Sequence, residues 1–386
     1  VCARCLAREL SPFFAESLQA GSAYRWNSPC LVLEIEEERS VHGQLLNAVQ
    51  GMFRGQDLSV EESSACIGVI MDGQADGVDI AAFLTALSMK GLRASELSGA
   101  AAAMRARSAQ IRTHRYPLID TCGTGGDELQ TFNISTAAAI VLSACAVAVA
   151  KHGNRSVSSR SGSADVLEQL GVNISLNAEE AGRCLDDLGL AFCFAPLMHG
   201  AMRHAAPVRK QLGFPTIFNL LGPLTNPAGA EFQLLGAASD ERAELLAEAL
   251  AVLGGRRSLV VCGNNQLDEV SLWGRTLVLD VSEGVITRRY WTAEDLGLVE
   301  CDVADLRIAG AEESAAVIRG VLGGSPGPAR DMVLANAGAG LYVLGMVQSP
   351  AEGVLRAADG ISSGAALGRL EDLVTWTAGA VSRRVV

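Results

Sequence analysis

Aromatic residues are scarce. They make up 5% of the 386 residues, against 49% for hydrophobic residues as a whole, so a core has to be filled mainly by Ala, Val, Leu and Ile. That filling suits helices packed on a sheet and excludes a disordered chain. Long apolar runs are missing too. The longest, Ala137 to Ala150, includes Ser143 and falls short of the roughly 18 to 20 residues that a membrane-spanning helix needs. It reads as a buried helix followed by a strand. The first twenty residues contain Arg4, Arg8 and Glu9 and no uninterrupted apolar stretch, so no secretory signal is visible and a cytoplasmic protein with no membrane partner is expected.

Basic residues are outnumbered, 31 Lys+Arg against 43 Asp+Glu, and the net charge is -12. This is the wrong sign for a protein whose affinity rests on neutralising nucleic-acid phosphates. A phosphorylated small molecule stays compatible wherever the basic residues are focused locally. Cysteines are present, but Cys66, Cys145, Cys184, Cys193 and Cys262 lie in apolar segments, where a free thiol acts as a small hydrophobe, and no disulfide framework is expected. Cys2 and Cys5 form a CxxC that no second pair completes into a four-ligand metal site.

The chain then divides by rhythm. Residues 1–40 carry Pro12, Pro29 and the acidic run Glu34 to Glu38 without periodicity and read as an appendage. Residues 41–110 read as a small helical domain. Leu45, Leu46, Val49, Met52 and Phe53 are expected on one face of its first helix, and Ser59 with Glu62 makes a capping box for the second. Ile80, Phe83, Leu84 and Leu87 line a third helix, and Ala100 to Met104 belong to a fourth. Residues 111–386 alternate short apolar strands (147–150, 191–195, 234–237, 259–262) with helices and end in helical segments at 312–322, 331–344 and 351–361. That is an α/β domain with a central sheet flanked by helices.

Four segments carry candidate chemistry. In DTCGTGGDELQTFNIST (120–136) a strand runs into Gly123, Gly125 and Gly126 and then into a helix starting near Asn133, an arrangement that brings backbone N–H groups and a helix N-terminus to an anion. In KHGNRSVSSRSGSADVLEQLG (151–171) a strand end delivers Lys151, His152, Asn154, Arg155 and Arg160 among five serines, a donor density suited to a multiply phosphorylated ligand. In NNQLDEVS (264–271) Asp268 and Glu269 follow a strand, as carboxylates that share Mg²⁺ with substrate phosphates do. In FAPLMHGAMRHAAPVRKQLGFPTIFNLLGPLTNPAG (194–229) Arg209 offers a bidentate grip for a carboxylate.

In this order the four segments resemble the anthranilate phosphoribosyltransferase family, which shares its fold superfamily with the pyrimidine nucleoside phosphorylases. The resemblance runs from about Val41 to Val381 and includes GQDLSVEES, GVDIAAFLTALSMKG and NAGAGLYVLGMVQSPAEGV outside the candidate site. It implies a helical domain joined to a larger α/β domain with the site in the cleft between them, a homodimer, and Mg²⁺-dependent transfer of phosphoribose from phosphoribosyl pyrophosphate (PRPP) to anthranilate or a related aromatic amine acid. It also implies roles. PRPP falls to Gly123, Gly126, Asp127, Thr131, Asn133, Ser135, Thr136, Lys151, His152, Gly153, Asn154, Arg155, Ser158, Ser159 and Ser163. The metal falls to Ser135, Asp268 and Glu269, and anthranilate to Gly123, His152, Asn154, Pro196, His199 and Arg209. No general base is implied, since an aromatic amine is uncharged at neutral pH. Glu128 stands where the family usually has glycine, and a carboxylate pointing inward there would repel pyrophosphate. Gly200 stands where proline is common after the site histidine. Competing expectations are a paralogue acting on another aromatic amine acid, a nucleoside phosphorylase, against which the Asp268/Glu269 pair argues, and a nucleic-acid-binding relative, which the net charge disfavours.

Overall fold

The second helix starts where the sequence places its cap, at Ser59. A computed structural model describes residues 43–156 and 160–382, and Gln44 onward forms one compact unit. Helix α1 (43–53) is followed by α2 (Val60–Met71), α3 (Gly77–Lys90) and α4 (Ala94–Ala106). The Ser59 hydroxyl accepts from the Glu62 amide at 3.1 Å and the Glu62 carboxylate accepts from the Ser59 amide at 2.9 Å, the reciprocal capping box. Asp76 caps α3 by accepting from the Val78 and Asp79 amides, both at 2.8 Å.

The expected face of α1 is corrected. Leu45, Val49 and Met52 are buried, whereas Leu46 and Phe53 are 43% and 77% exposed. Positions 45, 49 and 52 share one stripe of a 3.6-residue helix, and 46 and 53, seven apart, form the adjacent stripe, which turns outward.

The second part is a seven-stranded sheet in the order β3-β2-β1-β4-β5-β6-β7. The strands are β1 (Leu118–Gly123), β2 (Ala148–Gly153), β3 (Leu190–Phe194), β4 (Phe232–Gly236), β5 (Arg257–Gly263), β6 (Thr276–Ser282) and β7 (Val285–Trp291). The first five are parallel, and β6 and β7 add an antiparallel edge. Parallel strands are covered on both faces, which is why β1 to β5 read as short apolar runs. The helices between and after them are α5 (Ile134–Ala144), α6 (Ser163–Gln169), α7 (Ala178–Leu188), α8 (Ala195–Met198), α9 (Ala206–Leu212), α10 (Phe218–Leu221), α11 (Asp240–Leu253), α12 (Ala311–Leu322), α13 (Pro328–Val343), α14 (Pro350–Ser362) and α15 (Ala365–Ser382). Among the described residues no helix is long and apolar enough to cross a membrane.

Four of the parallel strands, β1, β2, β4 and β5, end in glycine, and in open α/β sheets it is at the carboxyl ends that ligands bind. At Gly123 and Gly236 the reason is close approach. A Cβ on Gly123 would collide with the Asp268 carboxylate and one on Gly236 with the Asp268 main chain, so only glycine lets the loop after β5 lie directly on the strand ends.

Candidate active site

From β1 the chain climbs into a loop of unusual backbone. Gly125, Gly126, Glu128 and Gln130 all have positive φ, between 57° and 77°. The Gly125 amide donates to Asp268 Oδ2 at 2.7 Å, and the Thr124 amide to the Gly236 carbonyl at 2.9 Å. Glu128 is exposed, so the inward repulsion expected of it is not what the structure shows. Thr131 forms an isolated bridge with Arg307. Asn133 is tied within the protein: its amide group donates to the Ser161 carbonyl at 3.0 Å and its Oδ1 accepts from the hydroxyls of Ser161 and Ser314 at 2.7 and 2.8 Å. The N-terminus of α5 follows, where the Ser135 amide donates to Glu269 Oε1 at 2.9 Å and the buried Thr136 hydroxyl has no partner among the described residues.

Strand β2 brings Lys151 beside that helix end. Lys151 is 3% exposed, and its ammonium donates to the Thr121 carbonyl and, at 3.3 Å, to the Ser135 hydroxyl. His152 follows on the opposite face of the strand. Its amide donates to Asp120 Oδ1 at 3.0 Å and its Nδ1 lies 2.9 Å from the Gly222 carbonyl. Gly153 closes the strand against Ser163, whose hydroxyl donates to the Asn154 carbonyl at 3.2 Å. The Arg155 guanidinium is held by Asp165 at 3.0 Å and by Glu168 at 2.6 and 2.8 Å, which fastens this loop to α6. Ser158 and Ser159 lie outside the described residues.

The carboxylates are less exposed than loop residues after a strand usually are. Glu269 is buried and Asp268 half-buried. Burial first, and then the charge of Asp268, push Glu269 up to about 8 and Asp127 up to about 7, and burial raises Asp268 as well. The Asp268 and Glu269 carboxylates and the Ser135 hydroxyl are oxygen donors of the kind Mg²⁺ takes. Among the described residues, however, no three acidic, imidazole or thiol side chains converge as a closed cage. That combination fits an ion that keeps waters and substrate oxygens in its shell.

The other wall comes from the segment after β3. Pro196 is exposed in the first turn of α8, and His199 follows it at 5% exposure, its ring 5.1 Å from that of His152 in an edge-to-face arrangement. Burial above all pushes His152 down to about 3 and His199 down to about 4. Arg209, on α9, is half-buried over the Phe218 ring at 5.2 Å, and the one hydrogen bond of its guanidinium among the described residues, at 3.4 Å, goes to Asn219 Oδ1. No carboxylate pairs with it among the described residues, so most of its five donors remain for an anionic ligand.

Asp120 and Asn226 were missed as site residues. Asp120 is fully buried and accepts from Asn226 Nδ2 at 2.8 Å as well as from the His152 amide, and Asn226 Nδ2 also reaches the Ala150 carbonyl at 2.7 Å. This clamp joins β1, β2 and the turn that carries Gly222. The available signal was a charged residue inside an apolar strand together with an Asn-Pro in a turn.

Residues 47–108 match the helical bundle domain of a glycosyl transferase family, and residues 115–367 its a/b domain. The anthranilate phosphoribosyltransferase of Thioalkalivibrio sulfidiphilus is 48% identical over 331 residues, 86% of this chain and 98% of that protein. The one from Moorella thermoacetica is 48% identical over 328 residues, 85% and 97% of the two. Of solved structures, the anthranilate phosphoribosyltransferase of Thermus thermophilus aligns with a TM-score of 0.81 at 45% identity, covering 86% of this chain and 99% of that one. The Saccharomyces cerevisiae enzyme, in complex with PRPP and Mg, aligns with a TM-score of 0.81 at 30% identity, covering 87% and 98%. Matched along both its helical and its α/β parts, and to whole proteins, the chain belongs to the anthranilate phosphoribosyltransferase family.

Proposed function

We propose that this chain transfers phosphoribose from PRPP to the amine of anthranilate, giving N-(5-phosphoribosyl)anthranilate and pyrophosphate, a step of tryptophan biosynthesis. The observation that carries the proposal is a pair of opposite needs. Asp268 and Glu269 crowd together beside the strand ends, and Arg209, on α9, stands without a carboxylate among the described residues. Mg²⁺ held by Ser135, Asp268 and Glu269 would, when bound, lower the charge that builds on departing pyrophosphate.

The protein's own part is electrostatic and positional. Gly123, Gly126, Asp127, Thr131, Ser135 and Thr136 bring loop and helix N–H groups and hydroxyls to PRPP, and Lys151 sets a buried positive charge beside them. His152, Gly153, Asn154, Ser158, Ser159 and Ser163 continue that surface. Arg155 and Asn133 act through the loops they fasten, since their side chains are engaged by Asp165, Glu168, Ser161 and Ser314. Arg209 grips the carboxylate of anthranilate, and Gly123, His152, Asn154, Pro196 and His199 line its ring and amine, which holds the nucleophile against the anomeric carbon. Residues 41–110 and 111–386 would be the two domains, with the cleft between them as the site.

A second S. cerevisiae structure, in complex with 4-fluoroanthranilate, supports the acceptor class, at 28% identity and a TM-score of 0.79. Loss of anthranilate fluorescence on adding PRPP and Mg²⁺ tests the reaction, and no loss anywhere in a Mg²⁺ titration contradicts it. The chain would act as a homodimer in the cytoplasm. Phe53, Val78 and Met89 are 77%, 76% and 83% exposed around a groove of about 830 Å³ on α1 and α3, an apolar face of the kind a second copy covers. All seven described cysteines are free, in keeping with a reducing compartment. Light scattering at twice 40.2 kDa is the expected mass, and a monomer contradicts it.

A further inference from the structure

The stretch that begins NAGAGLYV lies far from the acidic loop in sequence, yet its first residue reaches that loop. Asn336 is fully buried in α13, and it is the one polar side chain among the buried residues of that helix. Its Oδ1 accepts from the Val270 amide at 2.9 Å, and its Nδ2 donates to the Val270 carbonyl at 3.1 Å and to the Met332 carbonyl at 2.9 Å. A backbone N–H can only donate and a carbonyl only accept, so the network admits one orientation of the Asn336 amide. The bond to Met332 is local to the helix. The other two span 66 residues and take both the N–H and the C=O of Val270, as a paired strand residue would.

Val270 directly follows Asp268 and Glu269. Before these two, Leu267 is tied back to Gly263 at the end of β5 by an exchange of amide–carbonyl bonds at 2.8 and 2.9 Å. After them, Asn336 holds the peptide groups on both sides of Val270, and the Ser271 amide donates to the Thr276 hydroxyl at 2.9 Å. Between these anchors stand the two acids, so the directions in which their side chains leave the main chain are set from both ends. The first anchor belongs to the loop's own stem, whereas the grip on Val270 comes from α13. One turn along the same face of α13, a Cβ on Gly340 would stand 2.7 Å from Leu142 Cδ1. The helix therefore also lies close on α5, whose first turn brings the Ser135 amide to Glu269.

We propose that Asn336 is a positioning residue for divalent-cation binding: by gripping Val270 it presets Asp268 and Glu269 against Ser135, so that the cation meets its oxygen donors already in place. Asn336 itself touches neither cation nor substrate. The proposal rests on the phosphoribosyl-transfer reading, in which those three residues hold the metal, and deepens it. Groups that orient metal ligands contribute about ten- to a hundredfold in metal affinity. A loop ordered before the ion arrives leaves little ordering for binding to do.

The test titrates the full chain with Mn²⁺ at saturating PRPP and reads protein-bound ion from the enhancement of water-proton relaxation, which needs no turnover. Asn336→Leu has a side chain of similar size that makes none of the three bonds. Its Mn²⁺ concentration at half-occupancy is expected to rise at least about tenfold, with KM for anthranilate held within about twofold. Leu334→Ala, a buried change on the opposite face of α13, controls for stability. It is expected to lower the melting temperature and leave Mn²⁺ binding within about twofold of wild type. An Asn336→Leu protein that binds Mn²⁺ as wild type does, or equal weakening in both variants, overturns the proposal. A second readout needs no variant and serves even if Asn336→Leu does not fold. Hydrogen exchange in the ligand-free wild type is expected to show the Val270 amide as protected as those of β5, and to gain no more than they do when Mn²⁺ and PRPP bind. A Val270 amide that exchanges freely, or that gains protection selectively with ligand, overturns it. Wild type that binds no Mn²⁺ with PRPP defeats the metal assignment itself, whereas wild-type binding with an indifferent Asn336→Leu defeats only the role of Asn336.

Discussion

Among the described residues acid is buried beside lysine in two places, and the two are built to opposite ends. In the helical part, Glu96 is fully buried and both its oxygens are used: Oε1 accepts from the Leu58 amide at 3.0 Å, and Oε2 from the Arg93 amide at 2.9 Å and the Lys90 ammonium at 3.1 Å. Lys90 in turn reaches Asp57 at 2.7 Å and the Gly91 carbonyl at 2.8 Å. At the strand ends, Lys151 spends its hydrogens on the Thr121 carbonyl and the Ser135 hydroxyl, while Glu269 leans on Ser135 and Asp268 on the Gly125 amide and Asp127. The first cluster is complete within the protein and locks α2, α3 and α4 together. The second is short of positive charge, and what completes it must arrive with the substrate. Buried charge stabilises where every partner is native, and works where one is missing.

The largest effects separate these two clusters. Replacing Asp268 by Asn and Glu269 by Gln is expected to remove at least about a thousandfold in turnover, several kcal/mol of transition-state stabilisation, with far-ultraviolet circular dichroism unchanged. Turnover that persists and ignores Mg²⁺ would break the comparison. Glu96→Gln is expected to cost about 3–5 kcal/mol in urea unfolding, because it leaves Lys90 buried beside a neutral amide, with KM values of the folded protein unaffected. A shift in KM without loss of stability would show the helical cluster serving the site.

Arg209 extends the contrast as a cation left without its anion. Arg209→Ala is expected to raise KM for anthranilate by about one to two decades, the worth of a charge-assisted pair of roughly 1.5–3 kcal/mol, and to leave KM for PRPP alone. Parallel rises in both constants would make it structural.

The two site histidines give the pH dependence. Their folded values, about 3 and about 4, lie below the ordinary 6.5, so below pH 6.5 the unfolded chain binds protons that the folded chain refuses. Their contribution to stability is therefore intact above pH 6.5 and falls with acidification, by about 1.4 kcal/mol per pH unit for each ring. Changing both to Gln is expected to flatten the unfolding free energy between pH 6.5 and 5, and an unaltered slope contradicts burial in the neutral form. The smallest effect belongs to Glu128, exposed at φ 57°. Glu128→Gly is expected to relieve about 1 kcal/mol of backbone strain with KM for PRPP unchanged at low and high salt. A lower KM at low salt alone would restore the repulsion.

The sequence shows most of this architecture where side-chain pattern and backbone role coincide. Ser59 with Glu62, the apolar strands β1 to β5 and the helices α12 to α14 are read directly from spacing. Strand β7 is not, because all its residues but Trp291 are exposed and its TRRY stretch carries no alternation. Leu46 and Phe53 mislead because composition cannot tell a stripe that faces the core from one beside it. At the site, residue types announce Lys151, Asp268, Glu269 and Arg209. Asp120 and Asn226 act by holding other groups, and Asn133 and Arg155 turn out to be engaged by neighbours distant in sequence. Such partnerships belong to the fold and leave no local trace in the sequence.

The most direct test compares unfolding free energies of Glu269→Gln and Glu96→Gln in the ligand-free chain at pH 7. Glu269 is crowded by other acids, and burial favours its protonated form, whose shape Gln copies. The expected result is a Glu269→Gln protein as stable as wild type or more so, which gains nothing in thermal stability from Mg²⁺ with PRPP while wild type gains, alongside a Glu96→Gln protein about 3–5 kcal/mol weaker. A Glu269→Gln protein as weakened as Glu96→Gln would show that the strand-end cluster is as complete as the helical one, and would contradict the distinction drawn between them.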